Sequence, residues 1–145
     1  MRTSSRLHAV TWLLWAVAGA ATVQLAPSPV YVALVIALAA LVVEVHRLDT
    51  AMARAFPMLV ALGVAFALLR VVLTALTTHG VGQVLVTLPE ATLPRLLGGF
   101  TVGGTVEAPV VLQAAAEGFA VVGVLAVFGA FNAVISHHEL VQAVP

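Results

Sequence analysis

The sequence contains no cysteine and no lysine, and charged residues make up only 8% of its 145 positions. Without cysteine there is no disulfide frame and no thiolate metal site. Six arginines balance six acids, giving a formal net charge of zero. No basic stripe marks a nucleic-acid partner. Aromatic residues are also scarce, at 6%. What remains is apolar: 62% of the residues are hydrophobic, against ~50% apolar and ~25% charged in ordinary soluble domains. So few charges cannot clothe a soluble surface of this size. Lipid covering the apolar exterior is the physical alternative, and helices that satisfy their own backbone groups are the way to expose such a chain to it. The expected fold is all-α, a single polytopic transmembrane helical bundle with about four spans.

The chain is organised around its end, residues 107–145. Glu107, Ala108 and Pro109 open a long apolar run with one acid, Glu117, deep inside it. Proline needs no donor in a first helical turn, and an acid suits the positive helix end. Residues 109–136 make roughly 28 residues of helix, or about 42 Å at 1.5 Å per residue. That exceeds a hydrocarbon core of about 30 Å, so this span tilts or projects beyond one face. A short tail, residues 137–145, follows.

Three further spans precede it. The first covers residues 7–26, with Trp12 and Trp15 near its start, where the membrane interface favours tryptophan. A rival reading is open here. Arg2, Arg6, the apolar core and the small residues 18–21 also resemble a signal peptide with a cleavage site near residue 21, which would leave three spans. Pro27, Ser28 and Pro29 break the helix, and residues 30–45 form the second span. A polar connection carrying Arg47, Asp49 and Arg54 leads to the third, residues 55–77. Pro57 falls in its first turn, where it is tolerated. Residues 78–106 are rich in Gly, Thr and Pro and read as a long loop before the last span. Such length is unusual unless the loop has a function or a structure of its own. Within it, residues 81–88 are too short to span as a helix and read as an interfacial or extended piece. Arg2, Arg6, Arg47 and Arg54 flank one side of the predicted bundle and Arg95 lies on the other. Positive-inside counting puts both termini in the cytoplasm and the 78–106 loop outside.

Few residues are candidates for chemistry. Arg70 and Glu117 are ionisable side chains at membrane depth, which are costly and normally partnered. Each lies about 10–12 Å in from the same side on consecutive antiparallel helices, so an ion pair is geometrically open to them. Three readings apply: a structural clamp between the third and fourth spans, a contact to a partner subunit, or one step of a proton or ion relay. Thr74, four residues beyond Arg70, shares its face and can bond its own backbone. His137, His138 and Glu139 are consecutive, so on a helix they point apart and converge poorly on one metal ion. Asn132 reads as a turn residue, or as a cap or a bond to a neighbouring helix. Gly118, Gly123 and Gly129 offer close-packing points but no GxxxG pair. Glu90 and Glu107 read as loop acids without a visible partner. No phosphate loop, nucleophilic triad or paired carboxylates occur, so no catalytic, cofactor-binding or metal residue is assigned.

The segment TLPEATLPRLLGGFTVGGTV (87–106), the helix containing AAAEGFAVVGVLAVFGAFNAV (114–134) and the tail SHHELVQAVP (136–145) together resemble the transmembrane T component of energy-coupling factor transporters, the EcfT/CbiQ family. RLHAVTWLLWAVAGAA (6–21) and LLRVVLTAL (68–76) are similar to its actinobacterial-type members. The resemblance runs along nearly the whole chain, and 87–106 is its most specific part. It implies a non-catalytic permease subunit in the bacterial cytoplasmic membrane, part of an ABC-type importer of vitamins or transition-metal ions. Its partners would be two cytoplasmic ATPase subunits, a substrate-binding S component and the lipid bilayer, and it would hold no cofactor of its own. Family members transmit ATPase motion through long coupling helices that carry Ala-Arg-Gly-type signatures. No such motif and no arginine follows Arg95 here, so the resemblance covers the N-terminal part of the family and carries over no ATPase-docking residue. A free-standing oligomeric membrane protein, a channel or a structural subunit without energy coupling, is the alternative. A channel calls for a polar stripe along one helix face, which these spans lack apart from Arg70, Thr74 and Glu117.

Overall fold

The computed structural model describes residues 9–26, 28–46 and 55–135. The expectations placed on Arg2, Arg6, Pro27, Arg47, Asp49, Arg54, His137, His138 and Glu139 fall outside these residues. The described elements are helix α1 (Ala9–Leu25), α2 (Pro29–His46), α3 (Phe56–Thr77), strand β1 (Val84–Thr92), a single 3-10 turn (Arg95–Leu97), strand β2 (Thr101–Glu107) and α4 (Ala108–Val134). Three of the helices, α2, α3 and α4, are long and apolar enough to cross a membrane. The first is a shorter apolar helix of 17 residues, about 25 Å at 1.5 Å per residue.

The last helix is the centre of the bundle, and its composition explains why. Alanine and glycine recur along it, and Ala114, Gly118, Ala120, Gly123, Ala126, Gly129, Ala130 and Ala133 are all buried. Small side chains let helix backbones approach closely, which favours association where lipid removes the hydrophobic drive. Its glycines meet different neighbours. A methyl group on Gly118 would touch Ala67 of α3, one on Gly123 would touch Val32 of α2 and Val23 of α1, and one on Gly129 would touch Phe56 and Leu59 of α3. The α3 contacts run in opposite order along the two chains, so α3 is antiparallel to α4. The same ordering, from Val23 beside Gly123 to Gly19 beside Val127, makes α1 antiparallel to α4. By contrast, α2 runs parallel to it, because Val32 packs near Gly123 and Ala39 and Val43 near Ala126, Ala130 and Ala133.

Outside that seam the helices expose large apolar side chains. Leu14, Leu34, Phe66 and Leu68 are all more than half exposed, and α3 buries only Gly63. An exterior of leucine and phenylalanine is unfavourable in water and natural against lipid. Trp12 does not point outward, however. It is buried against Val134 and Ile135, with its ring edge-on to Trp15 at 6.2 Å and to His46 at 5.3 Å between centroids. These residues close one end of the bundle.

The structure is mostly helical, as expected, and adds a small sheet: within 78–106, expected to be a long Gly/Pro-rich loop with an interfacial or extended piece at 81–88, the chain forms an antiparallel hairpin. Val86 faces Val106, Thr87 faces Thr105 and Leu88 faces Gly104, and the register slips between Leu88 and Ala91. The slip falls at Pro89, which cannot donate to a ladder and belongs at such an irregularity. Opposite it, Gly103 and Gly104 have φ of +99° and +93°. A Cβ on Gly103 would collide with the Pro89 carbonyl oxygen, so the bulge requires glycine there. At the other end of the bulged strands, Gly98 N–H donates to the Arg95 carbonyl at 3.2 Å and closes the turn.

Candidate functional site

The site is built by the crossing of α3 and α4. Gly63 and Ala67 lie one turn apart on α3. A methyl group on Gly63 would lie 3.2 Å from Val122 Cα, and one on Gly118 would lie 3.0 Å from Ala67 Cα. Continuing along the same side of α3 by three and then four residues leads to Arg70 and Thr74, and continuing along α4 leads to Glu117 and Gln113. The close approach of small residues thus brings two polar pairs together on the flank of the crossing.

There Arg70 donates through Nη2 to Glu117 Oε2. The other carboxylate oxygen, Oε1, accepts from Gln113 Nε2 at 3.1 Å. Gln113 and Glu117 are four residues apart on one helix face, a spacing at which side chains meet. Both members of the ion pair stay open: the side chains of Arg70 and Glu117 are 49% and 43% exposed. Two shallow grooves border them. One of about 140 Å³ is lined by Thr74, Thr78, Val110, Gln113, Ala114 and Glu117. The other, about 320 Å³, is lined by Phe66, Leu69, Arg70, Leu73 and Thr74. A guanidinium carries five N–H donors, and within the described residues Arg70 bonds Glu117 alone. The face therefore offers several unused donors beside one carboxylate whose two oxygens are already engaged.

A second polar cluster joins the hairpin to the helices. Glu107 ends β2 and is only 3% exposed. Its Oε1 accepts from the Thr105 hydroxyl at 2.5 Å, and Oε2 accepts from the Gly80 N–H at 3.2 Å. His79 Nδ1 lies 3.0 Å from the Thr105 carbonyl oxygen, and Ala108 N–H donates to the Gln83 carbonyl at 2.9 Å. The Thr105 hydroxyl, the Gly80 amide and nearby His79 hold the Glu107 carboxyl below its ordinary value, against the opposing effect of burial. The reading of Glu107 as an exposed loop acid without a partner is thereby corrected. Glu90, in contrast, is exposed.

The remaining sequence candidates are placed as follows. Asn132 lies inside the last turn of α4 and donates from Nδ2 to the Phe128 carbonyl at 3.0 Å. The Thr77 hydroxyl returns to the Leu73 carbonyl four residues back, whereas the Thr74 hydroxyl makes no hydrogen bond within the described residues. Among those residues, no group of three or more His, Asp or Glu gathers around a metal-sized site. Sequence reasoning missed Gln113 and the Gly63–Ala67 pair. The first was detectable as a polar residue four before Glu117, and the second as a small-xxx-small spacing. Compared with known proteins, the chain matches no protein-family model, no curated protein and no solved structure.

Proposed function

We propose that the chain is a membrane scaffold subunit resembling the N-terminal part of the T component of energy-coupling factor importers. The observation that carries this reading is the division of labour on α4. One helix binds the other three through small residues, while its flank beside α3 keeps a half-exposed polar face. A subunit whose task is to hold a second membrane protein needs a rigid centre and a face left open. The segment most specific to the resemblance, 87–106, also supports the reading, because it forms a hairpin locked directly onto the start of that helix.

In this reading the protein sits in a bacterial cytoplasmic membrane with both termini inside and the hairpin outside. It performs no catalysis. ATP hydrolysis belongs to partner ATPases, and substrate choice belongs to a substrate-binding S component held against the helices. The Arg70–Glu117 pair fixes how α3 and α4 register, so the face offered to the S component keeps one shape.

Co-expression with the ATPases and S component of an energy-coupling factor importer from the same genome, followed by purification in mild detergent, tests the proposal. The S component should co-purify with the chain even when the ATPases are omitted. Recovery of the chain with none of them contradicts it.

A further inference from the structure

The tip of the hairpin carries apolar side chains where a turn normally carries polar ones. Between the strands the chain reads LPRLLGGF (93–100), with Arg95 as its one charge. The tip is held tightly. Leu93 N–H donates to the Phe100 carbonyl at 3.0 Å, Gly98 N–H to the Arg95 carbonyl at 3.2 Å and Gly99 N–H to the Pro94 carbonyl at 3.3 Å. Gly98, at φ of +96°, lets the Phe100 ring close against it, where a Cβ would lie 2.6 Å from the ring. This fixed turn holds Leu96 at 98% exposure, with Phe100 half-exposed and Arg95 exposed. In water such an arrangement is unfavourable. The packing of the bundle shows what meets the tip. Helix α3 packs chiefly on α4, whereas α1 and α2 pack on α4 and on each other, so α3 forms one flank. Strand β2 packs against α3 as well, and Gly104 and Thr105 lie against His79, just past the end of that helix. The hairpin thus leaves the start of α4 across the end of α3. The seven residues of β2 span about 23 Å at 3.3 Å each, roughly twice the width of a helix, so the tip passes beyond α3. Past that flank lies the medium that covers the exposed Phe66, Leu68 and Leu69, which is lipid.

We propose that the hairpin tip is an interfacial anchor: Leu96 and Phe100 insert at the boundary between headgroups and acyl chains of the bilayer that the helices cross, and Arg95 bonds a lipid phosphate above them. The commitment to lipid follows from continuity, because the tip overhangs the apolar flank of α3 at the level of the helix ends, which is headgroup level. The chemistry agrees. Apolar side chains next to a basic one, with no acid among 93–100, suit an interfacial segment. A guanidinium matches a phosphate, and its stem can lie along apolar surface while its head stays among the headgroups. The anchor also has a consequence for α4. The hairpin is tied to the start of that helix through Glu107 and the Ala108 N–H, so a tip held in the interface fixes that start at the membrane surface. The helix has 27 residues, about 40 Å, and its excess over a hydrocarbon core of about 30 Å then emerges at the opposite face. The inference stands independently of the scaffold reading.

The chain contains no cysteine, so Thr101→Cys places a single fluorescent label next to Phe100 while leaving Leu96 and Phe100 in place. The full chain is reconstituted in phosphatidylcholine nanodiscs at one copy per disc, where both membrane faces are open to solvent. Quenching by lipid that carries a nitroxide near its headgroup is compared with quenching by aqueous iodide. The lipid quencher should dominate. Leu96→Ser/Phe100→Ser should lower the ratio of lipid to iodide quenching roughly tenfold, the order of one apolar side chain's transfer from water. Arg95→Glu, which keeps the apolar pair and opposes the phosphate with like charge, should lower it as well. Emission from Trp12 and Trp15, at the opposite end of the bundle, shows that the variants remain folded. Dominant iodide quenching with the tip intact overturns the proposal, as does a ratio that Leu96→Ser/Phe100→Ser leaves unchanged. A label shielded from both quenchers assigns the tip to a protein contact and also overturns it. An unchanged ratio in Arg95→Glu overturns the role given to the guanidinium. Co-purification of an S component bears on the scaffold reading alone, so the two can fail separately.

Discussion

Replacing Gly118 by alanine should loosen the α3–α4 crossing, and the structure sets the size of the effect. The added Cβ would lie 3.0 Å from both Cα and Cβ of Ala67 and 3.3 Å from its carbonyl oxygen. Carbon atoms pack best at about 3.5–4.0 Å, so the helices must part by roughly 0.5–1 Å. The obstacle is backbone and cannot rotate away. Overpacking of this kind costs about 1–3 kcal/mol. Replacing glycine within a helix also gains up to about 1 kcal/mol of helix propensity, which a control removes. Gly129→Ala gains the same propensity, but its methyl meets ring and side-chain atoms of Phe56 and Leu59 at 3.0 and 3.4 Å, and these can turn aside. The difference between the variants should therefore be about 1–2 kcal/mol, or roughly a 5- to 30-fold change in the unfolding equilibrium. Unfolding in mixed micelles can be followed by the fluorescence of Trp12 and Trp15, the only two tryptophans. Gly118→Ala should unfold at clearly lower denaturing detergent than Gly129→Ala. Equal midpoints would refute the idea that a backbone contact at Ala67 sets the crossing.

Three further outcomes are expected. Arg70→Ala should lower the thermal midpoint in detergent more than Arg95→Ala does, because Arg70 bonds Glu117 across two helices whereas Arg95 sits in the exposed hairpin turn; equal midpoints count against the clamp. Glu107 has its carboxyl held below the ordinary value of 4.5, so its contribution is complete above that pH and is lost as pH falls through the lowered value; an acid titration of stability should show this loss in wild type and a flatter profile in Glu107→Gln. Gly103→Ala places a side chain at φ of +99° against Pro89 and should cost the hairpin about 1–3 kcal/mol; in this cysteine-free chain, a Thr87→Cys/Thr105→Cys pair should oxidise readily, and less so once Gly103→Ala is added.

The helices were legible because long apolar runs punctuated by proline leave little choice. The expected segments 30–45, 55–77 and 109–136 differ from the helices α2, α3 and α4 by only a residue or two at the described ends. The hairpin was legible only in part: 81–88 reads as an interfacial or extended piece and overlaps β1, but its pairing with 101–107 is not announced. Alternating burial is the usual mark of a strand, and β1 is exposed on nearly every residue. Pro89 and the paired glycines of β2 resemble loop punctuation, although they are what the bulge requires. Glu107 was misread for a related reason. Its partners, Thr105 and the Gly80 amide, meet it only after the hairpin folds back, and no local spacing announces that. Arg70 and Glu117 stood out because charge is so rare in this sequence. How far their side chains are exposed depends on the crossing at Gly63, Ala67 and Gly118, which a list of polar residues omits.

The most direct test of the scaffold account is the stoichiometry of the chain and the S component it is proposed to hold, after co-reconstitution in lipid nanodiscs without ATPases, measured by native mass spectrometry. The account predicts a one-to-one complex of the two membrane subunits. A chain found alone, or only as oligomers of itself, would contradict it.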